Sequence, residues 1–215
     1  MKGFFLTVEG IDGCGKSTQA ELLTAALQKL GFDVVLTRQP GGTAIGQAIR
    51  SLIVNDHKSL APMAELLLMM ADRAQHVAEL IKPNLEAGRI VLSDRYIDSS
   101  VAFQGYGRGI DIDTVDELNR LATGGLLPDL TLLFDLSLEQ ARARLDKREN
   151  AESALALTGF DEEKHDFHIR VRDGYLKIAD KHPSRIQIVA ATGNVEEVHE
   201  KVLTLVLNTI NCVSS

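Results

Sequence analysis

The chain has 215 residues, 45% of them hydrophobic and 25% charged, the balance of a soluble globular protein with length for one domain and a full core. Its net charge of −7 argues against broad attraction to nucleic acid or an anionic membrane, so a phosphate ligand has to be held by local arginines. Cys14 and Cys212 form no disulfide or metal pattern, no signal-peptide layout precedes the first strand, and the longest apolar runs, such as Leu66–Ala71, are too short to span a bilayer; the expected location is the cytoplasm.

The first expected strand, Phe4–Val8, runs into Gly10-Ile11-Asp12-Gly13-Cys14-Gly15-Lys16-Ser17, followed by Thr18. This fits G-x-x-x-x-G-K-[ST], in which glycines let backbone N–H groups turn inward on a polyphosphate. Lys16 offers a point charge to the β/γ-phosphates and Ser17 a hydroxyl to Mg²⁺, while the next helix aims its positive end at the same phosphates. That helix is read over Gln19–Leu30, with Leu22, Leu23, Ala26, Leu27 and Leu30 on one face. The second strand, Val34–Thr37, leads to Thr37-Arg38-Gln39-Pro40-Gly41-Gly42. Pro40 and the glycines force a turn there, with a cis bond before Pro40, and Arg38 projects at the ligand edge. Helical patterns follow near 44–54 and 60–87. On the second, Met69 and Arg73 share a face, which suits a flat base or, equally, a core-facing methionine with an arginine stem beside it.

The third strand, Ile90–Ser93, ends in Asp94-Arg95, a Walker-B arrangement in which the carboxylate orients Mg²⁺ or its water. The fourth, Leu130–Asp135, has the same shape, so the pattern divides the metal role between Asp94 and Asp135; Arg95, able to bind phosphate, favours Asp94. Between them, Ser99-Ser100-Val101-Ala102-Phe103-Gln104-Gly105-Tyr106-Gly107-Arg108-Gly109 combines hydroxyls, an aromatic ring, an amide and a glycine-rich turn. Such a set can read sugar and base edges, or it is a helix cap followed by a flexible loop. Helical patterns continue near 114–123, 138–148, 162–181 and 195–210, with capping spacings at Ser137–Gln140 and Asn194–Glu197, and Val195, Val198, Val202 and Leu205 form a core face. Between Lys147 and Gly159 the pattern weakens into a mobile excursion, preceded by Arg142, Arg144 and Arg148. The last strand is Ile186–Ala190. Alternation of this kind predicts a parallel sheet with helices on both faces and ligands outside the carboxyl ends of the strands. The histidines, His165 and His168 included, show no metal spacing, and no N-K-x-D run for guanine is present.

Taken together, Val8–Thr18, Thr37–Gly42, Ala71-Asp72-Arg73, Asp94-Arg95-Tyr96 with Ser99-Ser100 and Phe103-Gln104-Gly105, Gly107-Arg108-Gly109 and Leu127-Pro128-Asp129-Leu130 resemble the bacterial thymidylate kinases, of the P-loop nucleoside monophosphate kinase group, over essentially the full length. The resemblance implies a single domain, 1–215, with the three-layer P-loop NTPase fold: a five-stranded parallel sheet flanked by helices, with a mobile lid near 142–162. It implies ATP- and Mg²⁺-dependent phosphorylation of dTMP to dTDP for dTTP synthesis, in a cytoplasmic homodimer. Lys16, Arg95 and Asp12 would be catalytic, with a lid arginine from Arg142, Arg144 and Arg148. Gly10 to Thr18 would hold the donor phosphates, and Ser17 and Asp94 the metal. Asp12 would lie between the acceptor sugar and the magnesium region, Arg38 and Arg95 would clamp the acceptor phosphate, and Arg73 and Gln104 would bond thymine. Ser99 and Ser100 would lie near the acceptor, Ser100 close to the base, and Phe103 would crowd the sugar 2′ position. Gln39 replaces the family's usual glutamate, Met69 its stacking phenylalanine, and Gly159 an arginine of the lid. Another nucleoside monophosphate as acceptor, or a P-loop module that binds without turnover, are the competing expectations.

Overall fold

Every residue of β1 (Phe4–Glu9) is buried, the mark of a strand covered on both faces. The computed structural model describes residues 3–56, 60–149 and 162–213. With β2 (Val34–Arg38), β3 (Ile90–Asp94), β4 (Leu130–Asp135) and β5 (Ile186–Ala190), β1 forms a five-stranded, wholly parallel sheet in the order β2-β3-β1-β4-β5. The α/β sheet expected from the alternation is present, and each strand begins where expected. The chain leaves β1 for one side of the sheet and later fills the other, so β1 ends at the switch point where ligands of such sheets bind. Register then assembles the motifs. Val8 lies opposite Asp94, and Asp94 opposite Arg38, which brings the ends of β1, β3 and β2 to one edge.

Alternate residues of β1 serve different faces. Phe4, Leu6 and Val8 join a core with Leu23 and Leu27 of α1 (Lys16–Lys29) and with Val198, Val202, Val206 and Ile210 of α9 (Val195–Val213). Phe5 packs with Val77, Ile81, Tyr96 and Ile97 on the other face. The expected apolar faces are partly displaced: Leu22, Leu30 and Val195 are exposed, and the working faces are Ala20, Leu23 and Leu27, and Val198 through Ile210. α2 (Ala44–Asp56) packs on α3 (Pro62–His76), which continues through a π-helical turn, Val77–Ile81, into α4 (Lys82–Glu86).

The segment read either as a reader of sugar and base edges or as a cap and flexible loop is helical as far as Gly107 and turns at Arg108 and Gly109. α5 (Ile97–Ser100) passes into a π-helical stretch, Val101–Gly107. Gly105 and Gly107 serve packing, since a Cβ on Gly107 would lie 2.5 Å from Phe167 and one on Gly105 2.5 Å from Ile112, whereas Gly109, at φ 78°, makes the turn. α6 (Ile112–Thr123), α7 (Leu138–Glu149) and α8 (Glu162–Lys181) complete the set. The expected caps are present, with Gln140 N donating to Ser137 and Glu197 N to Asn194. The expected lid span overlaps α7 through Glu149 and meets α8 at Glu162; residues 150–161 lie outside the described residues.

Candidate active site

Directly after Glu9 the backbone bends through Gly10, Gly13 and Gly15, all at positive φ, where a Cβ on Gly13 would strike the Ala141 carbonyl at 2.5 Å. α1 then starts with no side-chain cap and no acidic residue in its first turn, so its N–H groups face an anion unopposed. Lys16 is buried and donates to Ile11 O at 3.4 Å and Asp12 Oδ1 at 3.3 Å. A cavity of about 500 Å³ opens beside this loop, lined by Gly13 to Gln19, Arg144, Leu145, Ala191 and the 193–196 segment.

Ser17 Oγ donates to Asp94 Oδ2 at 2.5 Å, while Asp94 Oδ1 is buried with no hydrogen-bond partner among the described residues. An oxygen-lined position with an unsatisfied carboxylate oxygen suits a hard cation. Asp135, the alternative, is held bidentately by Arg172 at 2.7 and 2.9 Å.

Opposite the P-loop, Arg95 is the only described non-glycine residue at positive φ, 74°. Its Nη2 donates to Asp12 Oδ1 at 2.7 Å, its Nη1 to Ser99 Oγ and Tyr175 OH at 3.1 and 3.0 Å, and its guanidinium lies 4.9 Å from the centre of the Phe103 ring. Behind it, the buried Glu9 accepts from Ser99 Oγ, Tyr175 OH and the backbone N–H of Tyr96. Burial and then the neighbouring Asp98 raise the Glu9 pKa. Burial would also raise the Asp12 carboxyl, but Lys16 and Arg95 hold it below the usual range. Arg38 is exposed at the end of β2, after which the Gln39–Pro40 bond is cis as expected. Arg50, from α2, donates to Pro40 O at 3.1 Å; burial, then the charges of Arg38 and Arg95, lower its pKa. Arg50 thus lies within electrostatic reach of both Arg38 and Arg95.

Arg73 is 2% exposed and donates to Gln39 Oε1, Ser100 Oγ, Asn119 Oδ1 and Tyr96 O at 2.5–3.0 Å, leaving one N–H of Nη2 uncommitted among the described residues. Gln104 Nε2 donates to Glu65 Oε1 at 2.7 Å, and Glu65 is also paired with Arg108, so the amide orientation leaves Gln104 Oε1 as the open group. Met69 is half-buried and packs against the core.

The sequence model described as "Thymidylate kinase" matches residues 8–202. The thymidylate kinase of Desulfovibrio desulfuricans is 49% identical over 90% of both chains, and that of Halothermothrix orenii 48% identical over 94% of this chain and 95% of its own. The crystal structure of thymidylate kinase from Ehrlichia chaffeensis superposes with a TM-score of 0.78 at 35% identity, covering 96% of this chain and 99% of that one. The chain belongs to the thymidylate kinase family.

Placed on this thymidylate kinase fold, the expected residues fall into three groups: Gly10 to Thr18 meet Asp94 through Ser17, Arg95 with Ser99 and Phe103 meets the P-loop at Asp12 while Arg38 lies opposite Asp94 in the sheet, and Arg73, Ser100 and Gln104 are buried beyond, Arg73 bonded to Ser100. Of the arginines proposed for the lid, Arg144 donates to Cys14 O and Ala191 O at 3.3 and 2.8 Å, on the P-loop side. Arg142 is exposed on α7, and the Arg148 side chain lies outside the described residues. Sequence reasoning passed over Arg50, Glu9, Tyr175, Glu65 and Asn119. Glu9 carried a signal, a carboxylate closing a mainly apolar strand. Arg50 and Tyr175 sit in ordinary amphipathic helices and carried none.

Proposed function

We propose that this chain moves the γ-phosphoryl group of ATP to dTMP, giving ADP and dTDP, in the crevice between the P-loop and the Arg38, Arg50 and Arg95 group. As a member of the thymidylate kinase family it is an ATP-dependent nucleoside monophosphate kinase. One observation carries the site reading: Asp12 Oδ1 bridges Lys16 Nζ on the donor side and Arg95 Nη2 on the other, so two cationic phosphate sites abut at one carboxylate. Phosphoryl transfer asks for in-line positioning and neutralised charge rather than covalent help, and two adjoining phosphate sites provide both.

In this reading the P-loop N–H groups and Lys16 hold the donor phosphates, and the cavity walled by Arg144, Leu145 and Ala191 takes the adenosine. Arg38, Arg50 and Arg95 hold the acceptor phosphate, whose ionised oxygen attacks without a dedicated base. Ser17 and Asp94 would hold Mg²⁺, which when bound supplies positive charge to the β/γ oxygens. The free N–H of Arg73 complements a carbonyl, and Gln104 Oε1 complements a ring N–H. Thymine and uracil offer that pair, whereas cytosine presents an amino group and an unprotonated nitrogen and is rejected at both points. Phe103, stacked under Arg95, belongs beside the sugar.

The protein acts as a homodimer in the cytoplasm in the same reading. Ile45, Ala48 and Leu52 on α2 and Met63 and Leu67 on α3 are exposed at helical spacing on two helices that pack together, an apolar face suited to a second copy. Its two cysteines are free thiols, in keeping with a reducing compartment. No described helix is long and apolar enough to cross a membrane.

The test is ADP release measured with dTMP, dUMP, dCMP, UMP and AMP as acceptors. We expect dTMP first, dUMP next and dCMP at least about 100-fold below in kcat/KM. Preference for dCMP or AMP would overturn the acceptor assignment, and nucleotide binding without product from any acceptor would overturn the kinase reading.

A further inference from the structure

We propose that Asp72 and His76, with Arg73 between them, are positioning residues that aim Arg38 by gripping its turn at every second residue. The inference rests on Arg38 being an acceptor-phosphate ligand.

α3 meets the segment 37–41 three times. His76 Nε2 hydrogen-bonds Thr37 Oγ1 at 2.7 Å, Arg73 Nε donates to Gln39 Oε1 at 2.9 Å, and Gly41 N donates to Asp72 Oδ1 at 2.9 Å. Thr37, Gln39 and Gly41 are buried, and Arg38 between them is exposed. Extended backbone sends successive side chains to opposite sides, so fastening 37 and 39 to the helix sends Arg38 the other way. The fit is close: a Cβ on Gly42 would lie 2.4 Å from His76 Nε2, and one on Gly46 2.4 Å from Asp72 Oδ1.

Neither Asp72 nor His76 reaches the crevice; both have 0% exposure. Burying polar groups is costly, the more so because Asp72 Oδ2 and His76 Nδ1 have no hydrogen-bond partner among the described residues. For packing alone, apolar side chains at both positions would serve better. What the polar pair adds is a fixed backbone beneath an otherwise flexible arginine. Because Arg73 is both the middle grip and a wall of the base pocket, α3 also fixes the span between base site and phosphate site, and the grip thereby selects acceptors by length.

Steady-state kinetics of Asp72→Ala, His76→Ala and Thr37→Val test this, beside Asp72→Asn and His76→Gln, which keep an acceptor oxygen and a polar nitrogen. The first three should lose roughly 10- to 100-fold in kcat/KM for dTMP. The loss should lie mainly in KM for dTMP, with KM for ATP within about twofold of the parent. The Asn and Gln variants should recover most of it. Equal loss toward both substrates, or no recovery, overturns the grip. Should the alanine variants not fold, Thr37→Val, which deletes one hydroxyl, decides by itself: unchanged dTMP kinetics overturns the proposal. Arg38→Ala separates the two levels. If it leaves dTMP use intact, the assignment of Arg38 fails and the grip with it; if it impairs dTMP use while Thr37→Val does not, only the grip fails.

Discussion

Single residues on α3 tie the stability of this chain to pH. Burial, and then the Arg73 guanidinium, lower the pKa of His76 from 6.5 to about 4. The unfolded chain takes up a proton on this imidazole from about pH 6.5 downward, the folded chain only near pH 4. The stability contributed by neutral His76 is therefore whole above the first value, declines as pH falls between the two and is lost below the second. Urea unfolding should register about 2 kcal/mol of this loss between pH 7 and pH 5. His76→Gln should lack that component; identical pH slopes in parent and variant would contradict the assignment. Residue roles were legible in the sequence where a motif sat at a strand end. Arg95 follows the buried β3 and Arg38 closes the partly exposed β2, and strand register delivers both strand ends to one edge. Sequence favoured Asp94 over Asp135 through the neighbouring Arg95 alone; the ion pair that occupies Asp135 comes from Arg172, 37 positions away in the chain and brought to it by the packing of α8.

Among the elements, the strands were read closely because short, mainly apolar runs bounded by turns have few competing explanations in an alternating chain. The 97–107 segment was not, because glycine signals a turn and a close helix contact equally well in one dimension. Gly107 faces Phe167 and Val171 of α8, and Gly174 of α8 faces Tyr106, so the π-helical stretch and α8 press together through glycines from both sides. Gly107→Ala should accordingly destabilise the fold by about 1–3 kcal/mol through overpacking. Thermal unfolding checks this, with a fall of about 2–4 °C expected per kcal/mol in a chain of this size. An unchanged midpoint would mean the two elements yield more than their spacing suggests. The same contact links Phe103 and Gln104 to the helix that carries Tyr175, so loosening it should also weaken dTMP binding.

The whole molecule is expected to pair through one face. Leu67→Glu places a charge within the exposed face of α2 and α3, so sedimentation should show a dimer for the parent and a monomer for the variant at equal micromolar concentration; a variant that stays dimeric would locate the contact elsewhere. Sequence gave no view of this face, since exposed and buried leucines of α3 differ only in which neighbours fold returns to them. Against an overall charge of −7, Lys16 and Arg95 meet at Asp12, with Arg50 and Arg38 within electrostatic reach of them. Arg95 holds this gathering together, and it does so from a left-handed backbone that only glycine adopts without penalty. An L-residue there gives up about 1–2 kcal/mol. The ties to Asp12, Ser99 and Tyr175 hold it in that conformation, so the aim of the Arg95 guanidinium is set by the fold itself, and part of the folding stability is surrendered to set it.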